Sequence, residues 1–433
     1  MKSESNASEM EHPGGNRFRA IASKRYGGAL DVPAFRWLWL LSLFSSAGDA
    51  IATVAMPLLV YDLTGSAGLL GAMFVLQQIP RVLLSPAAGV VADRIDRRQI
   101  LVWSAIIRAI LAALIPLMSD IWQIAVLAIL ISTATALSRP AELATLPAIL
   151  EGSAFLQGLS LIQVTNNVMR IIGPAAGAAI ISVSSPSIAF ILQSLCLAAS
   201  AAAAWRLVLP KLDRSPAWTG WKTGLQSGWG DLAEGVRVVW RTPIVRGIIA
   251  AESLWCLVSA AFVVTAVVLT EDTLDLGNRS DAIFGALTAT FAGGAVLGAL
   301  MARTIEQRTG RGMMLAVGYC GPLFLIPMIF TPPLPVIFAI WFVFGIADSL
   351  AVVALQSYLA EAVPDKLRGR VYATWITSVT IASIIAFSLA GWITPILGAP
   401  ATFFVVGVVT GTGGPFLLWI TGALAAVRGK SAP

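Results

Sequence analysis

The sequence predicts an all-α polytopic membrane protein, twelve transmembrane helices in two six-helix halves, and three observations carry that prediction. The 433 residues are 57% hydrophobic and 12% charged, whereas about a quarter of the residues of a soluble protein are charged. Apolar runs long enough to cross a bilayer, which takes about 20 residues, recur along the whole chain. Basic residues fall in alternate gaps between those runs, as in cytoplasmic loops. Little chain remains for a soluble catalytic domain. The net charge of +6 follows from that topology; the basic residues form no single patch, so no nucleic acid is expected as partner.

Residues 1–34 form a polar leader with Glu4, Glu9, Glu11 and basic residues, unlike a cleavable signal peptide. The first half, 35–208, holds runs near Trp37 to Tyr61, Leu69 to Val91, Ile100 to Met118, Trp122 to Leu146, Leu159 to Val183 and Ile188 to Leu207. The second half, 244–427, holds Ile244 to Leu269, Ile283 to Met301, Met313 to Phe330, Val336 to Leu359, Val371 to Ile396 and Ala401 to Val427. A polar linker, 209–243, separates them. In it Asp231 and Glu234 have capping-box spacing, and Leu232, Val236, Val239 and Trp240 recur opposite Glu234, Arg237 and Arg241. That pattern suits a short helix on the inner leaflet, a solvated linker being the plainer reading. Residues 428–433 form the tail. Of the 29 Lys and Arg, only Arg279 falls in an outside loop, against Asp62, Asp120, Glu271, Asp272, Asp275 and Asp281. The positive-inside rule therefore places both termini in the cytoplasm.

Several chemistries are excluded early. Cys196, Cys256 and Cys320 lie in apolar runs without a C-x-x-C partner, and the single histidine, His12, is in the leader, so no disulfide, metal site or cofactor is expected. The closest string to a nucleotide-binding loop, Gly422 to Gly429-Lys430-Ser431, has the wrong spacing and no preceding strand. No lysine lies in a helix core, and Gly345-Ile-Ala-Asp348 is not the G-x-G-D of intramembrane aspartyl proteases. The chain is therefore not expected to be an enzyme. Trp37, Trp39, Trp122 and Trp205 sit at helix ends, as interface belts do. Trp255, Trp341, Trp375 and Trp392 lie deeper, where they line a pocket or pack against lipid and core.

The run Gly89-Val-Val-Ala-Asp93-Arg94-Ile-Asp96-Arg97-Arg98 reads as a tight turn with a carboxylate followed by a basic cluster. It resembles the G-x-x-x-D-R-x-x-R-R signature between helices 2 and 3 of the major facilitator superfamily, a plain cytoplasmic loop being the alternative. The resemblance implies that fold, with a cytoplasmic gate at this junction that latches the halves. Gly298, Ala302, Arg303, Arg308 and Arg311 form a degraded second copy in which the Asp has become Ala302. Val363-Pro364 followed by Arg368-Gly369-Arg370 is similar to the V-P-x-x-x-R-G-R junction of the exporter branch that includes enterobactin and macrolide efflux proteins. Gly173-Pro174-Ala-Ala-Gly177-Ala178 resembles, incompletely, the helix 5 G-P-x-x-G-G of proton antiporters; a packing kink at Gly173 and Pro174 is its other reading.

Eight charges lie inside apolar runs: Asp49, Glu142, Glu252 and Asp348, and Arg81, Arg108, Arg139 and Arg170. Facing lipid, they would together cost on the order of 20 kcal/mol, so they must face one another or water. At 1.5 Å per residue, Asp49, Arg81 and Arg170 each lie roughly 20 Å from a helix end, near the midplane. An ion pair of Asp49 with Arg81 or Arg170 is expected, with Arg108 a possible third member; whether such pairs only lock helices or meet substrate stays open. Glu252 and Asp348 have no basic residue in their own half, which favours neutral carboxyls that carry protons. In the resembled fold the helices bearing the four acids line the central cavity. The resemblance implies a monomeric inner-membrane transporter that exports an amphipathic small molecule, drug or siderophore, by proton antiport. A lysophospholipid or other lipid translocator of the same fold is the alternative.

Overall fold

The computed structural model describes residues 28–209, 236–237, 239–274, 276–362 and 365–422. At 85–94, 153, 182–183, 278, 311, 356–362, 365–370 and 372–373 it describes the backbone alone. The described residues form helices and turns, with no strand. In the first half α1 spans Pro33–Thr64, α2 Ala67–Arg94, α3 Arg97–Leu114, α4 Ile121–Ile149, α5 Gly152–Val183 and α6 Pro186–Arg206. In the second half α7 starts at Pro243–Ala260, α8 spans Ser280–Thr309, α9 Arg311–Cys320, α10 Leu334–Ala362, α11 Asp365–Leu397 and α12 Ala399–Ile420. Eleven of these segments are long and apolar enough to cross a membrane. The remaining one, α5, has 32 residues and carries Gln163, Asn166, Asn167 and Arg170 among its apolar side chains.

Local chemistry explains the breaks. Proline opens α1, α6 and α7, where its missing N–H is not needed. Gly65 at φ 56 closes α1 with a left-handed cap, its N–H on the Tyr61 carbonyl. Asp120 and Gln123 form a reciprocal capping box at α4. The expected tight turn at Gly89 is corrected: α2 continues through Arg94, and the chain turns at Ile95-Asp96, where the Asp96 carboxylate accepts the Arg98 N–H at 2.9 Å. Nothing between Gly89 and Asp93 breaks a helix, whereas Asp96 is a good N-cap. Residues 231–235 of the expected linker helix lie outside the described residues, as does the leader to residue 27.

Helix α7 does not stay α-helical. It passes into π turns at Ala261–Thr265 and Leu269–Thr273, and α9 continues into a 3-10 segment, Gly321–Phe330, that carries Pro322 and Pro327. Such departures re-aim side chains relative to a regular helix, and the first π turn puts Phe262 and Val263 on a cavity wall.

The two halves repeat one packing scheme. In the first, α1 packs on α5 and α6, α2 on α4, and α3 on α4 and α6; in the second, α7 packs on α11 and α12, α8 on α10, and α9 with its 3-10 extension on α10 and α12. Between the halves, α2 meets α11 and α5 meets α8, pairs exchanged by the same shift of six helices. The closest of these contacts gather at the end that carries the 64–67, 273–280 and 397–399 turns. There Phe74 stacks on Phe387 with centroids 4.7 Å apart, and Tyr61 donates to Asp272. A Cβ on Gly71 would meet the Phe387 carbonyl at 2.5 Å, and one on Gly285 would meet Ala178 at 2.8 Å.

Glycine also sets the α8–α10 contact. A Cβ on Gly294 would stand 2.0 Å from the Phe342 carbonyl oxygen, and one on Gly298 2.6 Å from that of Ile346. This is the small-residue spacing that lets membrane helices touch backbone to backbone. Gly294→Leu should therefore abolish a monodisperse folded peak in detergent, or lower its melting temperature by several degrees. Gly293→Leu, whose Cβ finds only the Phe342 ring at 3.8 Å, should behave as wild type. Equal tolerance of both would contradict this packing.

Candidate functional site: two joined cavities between the halves

The first cavity, about 320 Å³, is walled mainly by the first half. Asp49 and Thr53 come from α1, Gln77, Gln78 and Arg81 from α2, Ser132 and Thr135 from α4, and Gln193 from α6. Beside it, Asp49 is bound by Arg108 of α3, which also donates to Ser45 Oγ at 3.0 Å. The Arg108 side chain is 4% exposed and that of Asp49 34%, so the pair is dry on one side and wet on the other. The expected partner of Asp49 is thereby corrected: it is Arg108, the proposed third member, and neither Arg81 nor Arg170. Depth along a helix does not fix direction around it, and it is the arginine of α3 that reaches bonding distance of Asp49. Arg81 lines the same cavity, is exposed to it, and donates to Gln78 Oε1 at 3.3 Å.

The second cavity, about 260 Å³, lies between the halves. Arg170 and Pro174 of α5 meet Trp255, Phe262 and Val263 of α7, Phe291 of α8, and Trp341, Phe344 and Asp348 of α10. Thr53 and Val263 line both cavities, so the two adjoin there. Its apolar wall is an interlocked set of rings: Phe262 stacks on Phe344 at 4.6 Å and contacts Trp341 at 4.8 Å, and Trp255 stacks on Phe344 at 5.5 Å. Edge and offset arrangements of this kind stabilise aromatic clusters beyond area burial. Of the deep tryptophans, Trp255 and Trp341 reach the cavity, Trp392 is 67% exposed, and Trp375 packs beside Val371.

For Glu252 and Asp348, whose expected lack of a cation was counted within their own half, the structure adds a cation from across the interface. Arg170 shares the cavity wall with Asp348 and attracts both carboxyls. Glu252 sits behind that wall, its carboxylate accepting the Tyr319 hydroxyl at 2.8 Å, while the Trp255 indole is the donor facing Asp348. Glu142 is also corrected. It lines neither cavity, is 7% exposed, and lies 3.5 Å from Arg139 one turn earlier on α4, a local pair on the helix rather than a cavity group.

Of the expected gate, Arg97 donates to the Ala144 carbonyl at 2.7 Å, and Arg98 donates to the Trp205 carbonyl with its guanidinium 6.0 Å from that ring. These contacts tie the start of α3 to α4 and α6. The side chains of Asp93, Arg94, Arg368 and Arg370 are not described, while Gly89 and Gly369 lie in the helical backbone of α2 and α11. Gly173 and Gly177 bring α5 against α1, where a Cβ would stand 2.2 Å from that of Ala50 and 2.9 Å from the Ile51 carbonyl oxygen. Helix α5 runs unbroken through Pro174.

The Asp49–Arg108 pair makes a direct prediction. Asp49→Asn strands a buried guanidinium and should destabilise the protein by about 3 kcal/mol. Adding Arg108→Met should restore much of the loss, and adding Arg81→Met should not. Thermal melting in detergent checks this: additive losses for Asp49 and Arg108, or rescue by Arg81→Met, would exclude the pair.

Comparison with known proteins fits this geometry. The family model of the Major Facilitator Superfamily matches residues 38–331 and 275–432. The multidrug efflux pump Tap of Mycobacterium tuberculosis is 27% identical over 390 residues, covering 87% of this chain and 90% of Tap. The enterobactin exporter EntS of Shigella boydii serotype 4 is 23% identical over 391 residues, covering 87% of this chain and 91% of EntS. The crystal structure of the nucleoside transporter NupG superposes with a TM-score of 0.65 at 13% identity, covering 91% of this chain and 99% of NupG. That of a bacterial homologue of the human lysosomal transporter Spinster gives 0.62 at 14% identity, covering 91% and 96%. At such identities the solved structures speak for the fold alone. The chain belongs to the major facilitator superfamily of membrane transporters.

Proposed function

We propose that this transporter exports an amphipathic small molecule of the drug or siderophore kind in exchange for protons, its halves rocking about the joined cavities so that these open to one side of the membrane at a time. One observation carries the reading: Arg170 of the first half and Asp348 of the second line one cavity, with Glu252 behind. Arginine keeps its proton and a carboxyl does not. Deprotonated, the carboxyls hold Arg170 across the interface and resist rocking; protonated, they release it. Asp49 is a poorer carrier, because Arg108 holds it within one half whatever the halves do.

The names of the relatives, a multidrug efflux pump and a siderophore exporter, support export. The basic residues of the loops support cytoplasmic termini. With that orientation the closed end faces outside, and the cavities are left to load from the cytoplasm, as an exporter requires.

In inside-out vesicles an imposed pH gradient should drive uptake of a substrate drawn from a siderophore and drug panel. Asp348→Asn and Glu252→Gln should abolish this gradient-driven uptake and preserve downhill exchange, because binding and rocking need no change of charge in a neutral variant. Concentration of substrate by both variants under a proton gradient alone would refute the coupling.

A further inference from the structure

We propose that the first-half cavity is an anion subsite and that the exported molecule is an organic anion with a flat aromatic body, its head group on Arg81 beside Gln193 and its body among the rings of the second cavity. The proposal rests on the exporter reading and names its substrate class.

Charge is the first argument. The carboxylate in this cavity, Asp49, is already bound by Arg108. Arg81 is then left with a neutral hydrogen-bond partner, Gln78, and no ion pair among the described residues; it feels Asp49 across the cavity, but Arg108 and Arg139 oppose that attraction. An uncompensated cation deep in a membrane protein is costly, and a guanidinium facing a water-filled cavity has donors in a fork that suits a carboxylate, sulfonate or catecholate.

Gln193 is the second, independent argument. It is 4% exposed, lines the same cavity, and its side-chain oxygen has no hydrogen-bond partner. A buried amide oxygen left unpaired is expensive, so this position asks for a donor from the cavity, and a turned amide would offer an N–H instead. Guanidinium and amide together suit a head group that pairs an anionic oxygen with a hydroxyl or acid proton.

Continuity is the third. The cavities adjoin at Thr53 and Val263, beyond which Trp255, Phe262, Phe291, Trp341 and Phe344 present ring faces and edges to a planar body. Arg170 offsets Asp348 there, so a cationic body finds less attraction than the carboxyl alone would give and meets repulsion from Arg81 next door.

Equilibrium dialysis with the full-length protein in nanodiscs at pH 7 tests this with three probes of one shape: 2-naphthylacetate, 2-naphthylacetamide and 2-(2-naphthyl)ethylamine. The acetate should bind at least about tenfold more tightly than the amide, and the amine most weakly. Arg81→Gln should reduce the acetate to the level of the amide without moving the amide, Arg81→Lys should keep part of the preference, and Phe262→Ala should weaken all three alike. An amine that binds as tightly as the acetate, an Arg81→Gln protein that keeps the tenfold preference, or no saturable acetate binding would each overturn the proposal. An acetate preference in a protein whose vesicles show no proton-driven uptake would sink the exporter reading and leave the anion site standing. Proton-driven export with amine preference would do the reverse.

Discussion

A charge at hydrocarbon depth costs about 2.5–3.5 kcal/mol on insertion scales, and that constraint arranges the interior of this bundle. It is met in three ways. Asp49 and Arg108 neutralise each other inside one half. Arg139 and Glu142 do so along a single helix. Arg170 is met from the opposite half, by Asp348 and Glu252. The first two arrangements lie within one half, whereas the third spans the two. In the proposed mechanism that is where protonation meets conformation, because the attraction across the interface exists only while a carboxyl is charged.

Close backbone approach makes such an interface possible. Glycine allows α8 to touch α10 at Gly294 and Gly298, α5 to touch α1 at Gly173 and Gly177, and α2 to touch α11 at Gly71. The duplicated packing scheme gives two six-helix bodies, joined at the turn-bearing end through Phe74, Phe387, Tyr61 and Asp272. The halves have diverged in content while keeping that scheme. The first half walls its cavity with amides, hydroxyls and arginine; the second fills the equivalent space with aromatic rings, for which the π turn at Ala261–Thr265 supplies Phe262.

The sequence reveals most of the fold because membrane helices are written in long apolar runs. Each of the twelve runs holds a helix among the described residues. The pairing of charges was less legible. Spacing fixes depth, and Asp49 and Arg81 line one cavity, but rotation about the helix axis decides contact, and it selects Arg108. Counting cations within each half hid Arg170 from Asp348, since the two share a cavity wall only across the interface. Gly294-x-x-x-Gly298 was readable as a packing motif, yet Gly298 was read for its resemblance to the gate run. The first π turn and the ring cluster had no signal in apolar periodicity, because residues 261–264 and the rings around Phe262 are apolar in any register.

The most direct test of the cross-interface account is a distance between the halves as a function of pH, taken by electron paramagnetic resonance with spin labels at Leu69 of α2 and Leu397 of α11 in a cysteine-free background. Both residues are exposed near the closed end. In the wild type a single short distance at pH 8 should be joined at pH 5.5 by a second, longer one, as protonation frees Arg170. Asp348→Asn should show both distances at both pH values, because its side chain is permanently neutral. A pH response that persists unchanged in Asp348→Asn would show that the coupling of charge to rocking lies elsewhere.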